Sequence, residues 1–500
     1  MTVRVKCVDA DPNSDTAANR NAFFNCSNML TAYSQTGHFG VYPFANEKYG
    51  IYNFGFGGGM EHQTCTGEGT FSESVTSHEL GHQWWGDMIT CADWHHVWIN
   101  EGFADYTEAL WAEWKPGSTG TPALLSAMAT RRPSAVNDTV WCPSTTDQNR
   151  IFSTDFSYYK AGWVLHMLRH AVGDTNYFNG IAAYRAAFQY GAATTEDFQA
   201  AMESVCGYSL NAFFQEWIYQ PGAPAYQWNW RTSNIGGQQY VEVYLNQSQS
   251  ASYPRYVMPV DIQLSPSSGS PVTQVIQNTT GTQWFLFKSS VVPLSVAFDP
   301  APYILATGKS QVTFVEGPPR VVTTTPNAGD SLPSASVPSV SVRFHKNVNA
   351  AAGNFTLVGP SGSVPFTYAY DSANFIATIT PNAPLGAGSY TLTALDAITD
   401  VASGKALDGE TASPTDPNLL PSGNGVPGGS FSFAFSITAP PPCPGDTNGD
   451  RQVDTLDLGA VLSGFGSSVP PGTGGDLNSD GAVNTLDLGI VLAAFGTVCP

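Results

Sequence analysis

The chain has 500 residues, too many for one ordinary hydrophobic core, so several domains are expected. Its formal net charge of -20 excludes a nucleic-acid partner, because phosphate contacts need clustered Lys and Arg. Hydrophobic residues make up 42% and charged residues only 12%, and the many Gly and Pro suit turn-rich β domains of an exported protein better than a cytosolic helical enzyme.

No apolar run is long enough to span a membrane, and the opening MTVRVKCVDADPNSD lacks the apolar core of a signal peptide. Export therefore rests on composition and domain content. The eight cysteines are Cys7, Cys26, Cys65, Cys91, Cys142, Cys206, Cys443 and Cys499. An even count without a CxxC pair fits disulfides in an oxidising compartment, with buried free thiols as the alternative. Cys443 and Cys499 bracket a C-terminal repeat and are the best-supported pair.

Residues 1–225 carry the helical patterns and most tryptophans, and they end at WIYQPGAPAY, with Pro221 and Pro224. Amphipathic helices are predicted over Tyr159–His170 and Thr195–Cys206. The chemistry is concentrated in SHELGHQWWGD. His78 and His82 stand four apart, so a helix projects both imidazoles from one face. Two neutral imidazoles suit zinc, and Glu79 lies where its carboxylate can take a proton from water polarised by the metal. A catalytic zinc needs a third protein ligand and an open position. Glu101, in WINEGFADYTEALW, supplies the ligand with eighteen residues between it and His82. Asp105 and Glu108, one and two turns further on, are candidates to orient a ligand histidine.

HELGHQWWGD together with WINEGFADY resembles the aminopeptidase N family of gluzincin zinc metallopeptidases, and the similarity extends from residue 1 to about 316. The resemblance implies a mainly helical, thermolysin-like catalytic domain with a small sheet. It implies one catalytic zinc on His78, His82 and Glu101, with Glu79 as base and then acid. GGMEH looks like the family's exopeptidase motif. Gly58, Gly59, Met60 and Glu61 then bind substrate, and Glu61 holds the free α-amino group. His62 stands where Asn is commoner. Tyr158, in YYKAGWVLHMLRH, matches the tyrosine that stabilises the oxyanion. Ala161 and Gly162 are swapped relative to the family pattern, which keeps Tyr159 as a weaker candidate. The family places a β domain before the catalytic domain and a helical domain after the β-sandwich. The chain as given starts at the catalytic domain's edge, so an open cleft is expected.

Beyond 225 the period changes to two. YVEVYL, YVMPVDIQL, QWFLFK and LSVAF predict a β-sandwich over 226–316. VSVRF, NFTLV, FIATIT and SYTLTAL predict an Ig-like sandwich over 317–438. A Pro linker follows at 439–442. Residues 443–500 repeat at a spacing of thirty, from Asp446 to Asp476, as two calcium-type loops each followed by a helix. Loop positions 1, 3, 5, 9 and 12 hold Asp446, Asn448, Asp450, Asp454 and Asp457, then Asp476, Asn478, Asp480, Asn484 and Asp487. Two structural Ca2+ ions are expected. Arg451 stands where the first loop prefers Gly, whereas Gly481 fits the second. Leu458, Val461, Leu462 and Phe465 are predicted to form one helical stripe, with Leu488, Val491, Leu492 and Phe495 as its twin. The pair resembles a dockerin, which implies a cohesin-like or cell-surface scaffold partner.

The leading expectation is a secreted or surface-bound bacterial zinc metalloaminopeptidase that removes N-terminal residues from peptides. The alternatives are a zinc endopeptidase with an open cleft and a non-catalytic, scaffold-anchored surface protein.

Overall fold

The computed structural model describes residues 7–8, 16–53, 55–333, 337–411, 420–439 and 443–499. Most of the expected Pro linker, at 440–442, and the Cys7 side chain lie outside the described residues. The chain divides into two compact units, Met1–Val315 and Glu316–Pro500.

The first unit is organised by three helices. Glu73–His82 carries HELGH. Ser72 caps it by accepting the Val75 N–H, and Glu73 complements the positive helix start. Trp98–Trp114 carries NEGFADY, and nearly every residue before Ala112 is buried, as befits a central helix. Lys160–Val172 is the third. Small residues let these helices approach closely. A Cβ at Gly81 would press on Thr107, one at Gly102 on Ala161, and one at Gly162 on Asp105. The order Ala161–Gly162 thus suits its neighbours, with the methyl facing a glycine and the glycine facing a carboxylate.

The predicted helix over Tyr159–His170 begins instead at Lys160. It is preceded by a π-helical turn, Thr154–Tyr159, that carries Tyr158. Such wider turns recur at functional sites because they displace one side chain from the regular helical path. Thr195–Cys206 is helical, with a capping box at Thr194 and Asp197.

A small four-stranded sheet runs in the order Cys7–Val8, Gly50–Asn53, Cys65–Glu68, Gly59–Met60, so GGMEH sits on its edge. From Ala225 onward, a four-stranded and a three-stranded sheet follow. One contains Gln238–Gln247 and Thr282–Lys288, the other Met258–Pro266 between Val272–Asn278 and Pro293–Phe298. Their apolar residues join the helical core: one cluster runs from Phe23 to Ala306.

In the second unit, strands of four and five form an Ig-like pair of sheets around Val340, Val342, Leu357, Ile379, Leu392 and Phe433. The C-terminal pair, Thr455–Gly464 and Thr485–Ala494, has a minimal core of Val453, Val461, Val483 and Val491. The single apolar stripes predicted there are not formed. Val461 and Val491 are buried, but Leu462, Phe465, Leu492 and Phe495 are exposed. Each helix ends just before its phenylalanine, which leaves the helical path on extended backbone.

The disulfide expectation holds for its best-supported pair and gives way elsewhere to the alternative of free thiols. Cys443 and Cys499 are bridged, with Cα atoms 5.8 Å apart, whereas Cys26, Cys65, Cys91, Cys142 and Cys206 are free thiols. Cys26 and Cys142 are buried in different apolar clusters and cannot meet.

Candidate metal centre and peptide cleft

The HELGH helix presents His78 and His82 on one face, toward the first turn of the NEGFADY helix. Glu101 Oε2 lies 3.4 Å from His78 Nε2 and 3.2 Å from His82 Nε2. Ligand atoms at tetrahedral corners about 2.05 Å from a zinc ion stand roughly 3.3 Å apart, so these three atoms have the spacing of a coordination shell. Among the described residues, metal-capable side chains converge within 4.8 Å in two trios. One is His78, His82 and Glu101; the other, Glu61, Glu79 and His82, shares His82 and borders the same cleft.

The charges agree with this geometry. Burial works against a charged imidazole. Even so, Glu101 and Glu108 raise His78 well above its ordinary value, and Glu101 raises His82 to about 9. Burial likewise opposes a charged Glu101, but the two histidines hold it below the usual carboxylate range. The cluster stabilises positive charge at its centre, which a divalent cation supplies.

Each histidine is oriented by its second nitrogen. His78 Nδ1 is 3.0 Å from Glu108 Oε1, and Glu108 is in turn gripped by Ser74 and Arg131. His82 Nδ1 is 3.0 Å from the Trp85 carbonyl. A Cβ at Gly86 would crowd that nitrogen, so a bare backbone is needed there. Of the two predicted orienting carboxylates, Glu108 serves and Asp105 does not. Asp105 lies 3.6 Å from Arg131 and against Gly162. Trp85 and Arg131 carry no sequence signal for these roles, since a backbone acceptor and a distant guanidinium obey no local spacing.

Glu79 is 6% exposed, and burial pushes its carboxyl up to about 7 against the pull of His78 and His82. The Gly59–Met60 edge strand passes so close that any Cβ at Gly59 would collide with the Glu79 carboxylate. Gln83, which follows His82, locks this strand in place. Its Nε2 donates to the Glu61 carbonyl at 2.8 Å, and its Oε1 accepts the Thr64 N–H at 2.9 Å. Sequence reading missed Gln83, although its place beside a ligand was the available signal. His62 turns away to Tyr52, 2.9 Å distant.

The cleft holds about 850 Å³ and is lined by Gly58, Gly59, Met60, Glu61 and Tyr158 beside the metal-capable residues. Tyr158, not Tyr159, is the tyrosine in this lining. Its ring stacks on His78 at 5.9 Å. Burial, reinforced by Glu101, raises its phenol well above the ordinary value, so it stays a protonated donor.

Residues 61–217 match the Peptidase family M1 domain. Within this region Lactococcus lactis aminopeptidase N is 32% identical over 160 residues, covering 30% of this chain and 19% of that protein. Aminopeptidase M1-A of Oryza sativa subsp. japonica is 33% identical over 161 residues, covering 30% of this chain and 18% of its own length. The chain thus spans about a fifth of the length of the curated relatives it matches. The fold is similar to that of Legionella pneumophila aminopeptidase A, solved in complex with aspartic acid. The TM-score is 0.51 at 16% identity, over 63% of this chain and 37% of that one. Residues 315–415 match a bacterial Ig-like domain. The M1 match includes Glu61, both histidines, Glu79, Glu101 and Tyr158.

In the C-terminal repeat, the loop carboxylates bind their own backbone. Asp446 accepts the N–H groups of Gly449 and Arg451, and Asp457 accepts those of Thr447 and Asp454. Asp476 and Asp487 repeat the pattern with Gly481 and Leu477. Asn448 donates a side-chain N–H to Asp450, and Asn478 does the same to Asp480. Asp454 and Asn484, predicted as calcium ligands, cap the two helices by accepting the Leu456 and Leu486 N–H groups. Among the described residues, these loops bring no acidic trio within 4.8 Å.

Proposed function

We propose that this chain is a zinc-dependent aminopeptidase that hydrolyses the N-terminal residue of peptides. The observation that carries the reading is the convergence of His78, His82 and Glu101 at ligand spacing beside a buried Glu79. Two imidazoles and a carboxylate fit zinc. When bound, zinc would polarise the scissile carbonyl and activate water. Glu79 takes the proton of the attacking water and passes it to the leaving amine, a transfer suited to a carboxyl near neutral. The Tyr158 phenol donates to the developing oxyanion. Glu61, which follows the Gly59–Met60 edge strand and whose carbonyl is held by Gln83, pairs with the substrate's α-ammonium and so admits free N-termini.

The test uses the full chain with zinc on aminoacyl amides and on matched N-terminally blocked peptides. Unblocked substrates should turn over, blocked ones should not, and Glu79→Gln should abolish turnover with zinc still held. Equal turnover by Glu79→Gln and the parent would refute the mechanism, and cleavage of blocked peptides would make the enzyme an endopeptidase.

Residues 443–500 are, in this reading, a dockerin-like pair that binds two Ca2+ ions and tethers the enzyme to a cohesin-like or cell-surface partner outside the cell. The oxygen-only side chains suit a hard cation. An ionised carboxylate offers about four lone-pair sites, so Asp446, which accepts two backbone N–H groups, keeps room for a cation. The exposed Leu462, Phe465, Leu492 and Phe495 offer apolar side chains to a partner. The Cys443–Cys499 disulfide favours an oxidising location.

A further inference from the structure

Two aromatic side chains in the cleft have no part in the chemistry above. Trp94 is 44% exposed and Phe152 43% exposed, and both line the cleft beside Glu61 and Tyr158. Their rings meet edge to face, with centroids 5.6 Å apart. They come from separate segments. Trp94 opens the one-turn helix Trp94–His96, and Phe152 follows the short helix Gln148–Ile151.

The wall they form is held in place. Asp93 accepts the His95 N–H at 2.8 Å, and the His95 ring stacks on Trp141 at 4.4 Å. The Phe152 N–H donates to the Gln148 carbonyl at 3.0 Å. Two half-exposed rings on anchored backbone offer apolar surface that gains by covering. The rest of the lining holds Glu61, Asp93, Glu101 and Glu108 and neither Lys nor Arg among the described lining residues, and its basic groups, His78 and His82, are members of the metal-capable trio. A carboxylate side chain laid against Trp94 and Phe152 would lie near Asp93 with no Lys or Arg of the lining to pair with.

On the aminopeptidase reading above, we propose that Trp94 and Phe152 form a subsite for a large apolar, chiefly aromatic, substrate side chain next to the scissile bond. The same cleft refuses acidic side chains.

Two dipeptide series test this with the zinc-loaded full chain: Xaa-Ala, which varies the residue before the scissile bond, and Ala-Xaa, which varies the one after it, with Xaa as Phe, Ala, Glu or Arg. In one series Phe should exceed Ala in kcat/KM by about tenfold or more, the scale on which an apolar pocket discriminates, and Glu should be poorest. The Phe-to-Ala ratio should fall toward one in Trp94→Ala and in Phe152→Ala, and recover in Trp94→Phe. Binding of the same intact peptides to Glu79→Gln, followed by calorimetry, reads the subsite without turnover. Turnover without any Phe preference overturns the subsite and leaves the aminopeptidase reading intact. A Phe preference in binding that Trp94→Ala abolishes, with no turnover, supports the subsite and defeats that reading. Preference for Arg over Phe, or a ratio unmoved by either alanine variant, also overturns the subsite.

Discussion

Glu68 shows how much a single buried carboxylate costs. It is fully buried on the Cys65–Glu68 strand. One oxygen accepts from Thr76 at 3.1 Å, and the other has no hydrogen-bond partner among the described residues. Burial pushes its carboxyl up to about 8, with the Thr76 bond opposing and the Glu79 charge adding. An unfolded glutamate titrates near ~4.3. Below that value both states are protonated and the fold keeps its full stability. As pH rises toward 8 the unfolded chain ionises freely and the fold does not, so stability is lost across that window. Glu68→Gln keeps the shape and removes the titration. Its melting temperature should therefore fall less than the parent's between pH 5 and 8, and identical slopes would refute the assignment. Nothing in the sequence marked Glu68, because burial on a sheet is not written in local spacing. The metal-capable trio was legible for the opposite reason: helical periodicity places His78 and His82 together, and a motif names Glu101. What orients them was half legible, Glu108 through its spacing and the Trp85 carbonyl not at all.

At the scale of elements, the paired C-terminal loops form an internal comparison. Both place position 6 in the left-handed region, with φ of 68° at Arg451 and 83° at Gly481. A non-glycine residue there costs roughly 1–2 kcal/mol, so the first loop is strained at position 6, whereas at position 4 the order reverses, with Ser479 at 59° in the second loop and Gly449 at 77° in the first. If both loops bind calcium, relief of the position-6 strain should show in the first loop alone. Arg451→Gly should tighten it by about tenfold, the equivalent of ~1.4 kcal/mol, and leave the second unchanged. Calcium titration calorimetry of the full chain and the variant would resolve this. Absence of any calcium heat would defeat the calcium reading, and two sites both unmoved by Arg451→Gly would defeat the strain argument. The sequence made this position legible because the glycine requirement is local. It misjudged the stripes around Phe465 and Phe495 because a periodic pattern does not say where a helix stops.

At the scale of the molecule, the change of period near residue 225 is a change of secondary structure and not of core. Tyr256 packs on Trp217 with centroids 4.3 Å apart, and Glu216 accepts the Val257 N–H at 2.7 Å. Tyr303 stacks on His170 at 4.1 Å, and Arg132 donates to the Ala306 carbonyl. Tyr226, Met258, Phe298, Ile304 and Leu305 belong to the same buried cluster as Trp85, Phe103 and Met167. Removing the sandwich would expose the underside of the third motif helix, which leads directly from Tyr158. A chain ending after Val315 keeps every member of that cluster, whereas a chain ending after Ala225 loses all those from Tyr226 to Ala306. The longer truncate should bind zinc and melt cooperatively at close to the temperature of the same unit in the full chain. The shorter should be insoluble or lack a cooperative transition, because large apolar side chains of the helical layer lose their cover. A folded, zinc-binding protein ending at Ala225 would show that the shared cluster is dispensable and that the two layers are separate domains. Loss of zinc binding in the Val315 truncate would show that the metal centre depends on residues its own core does not contain.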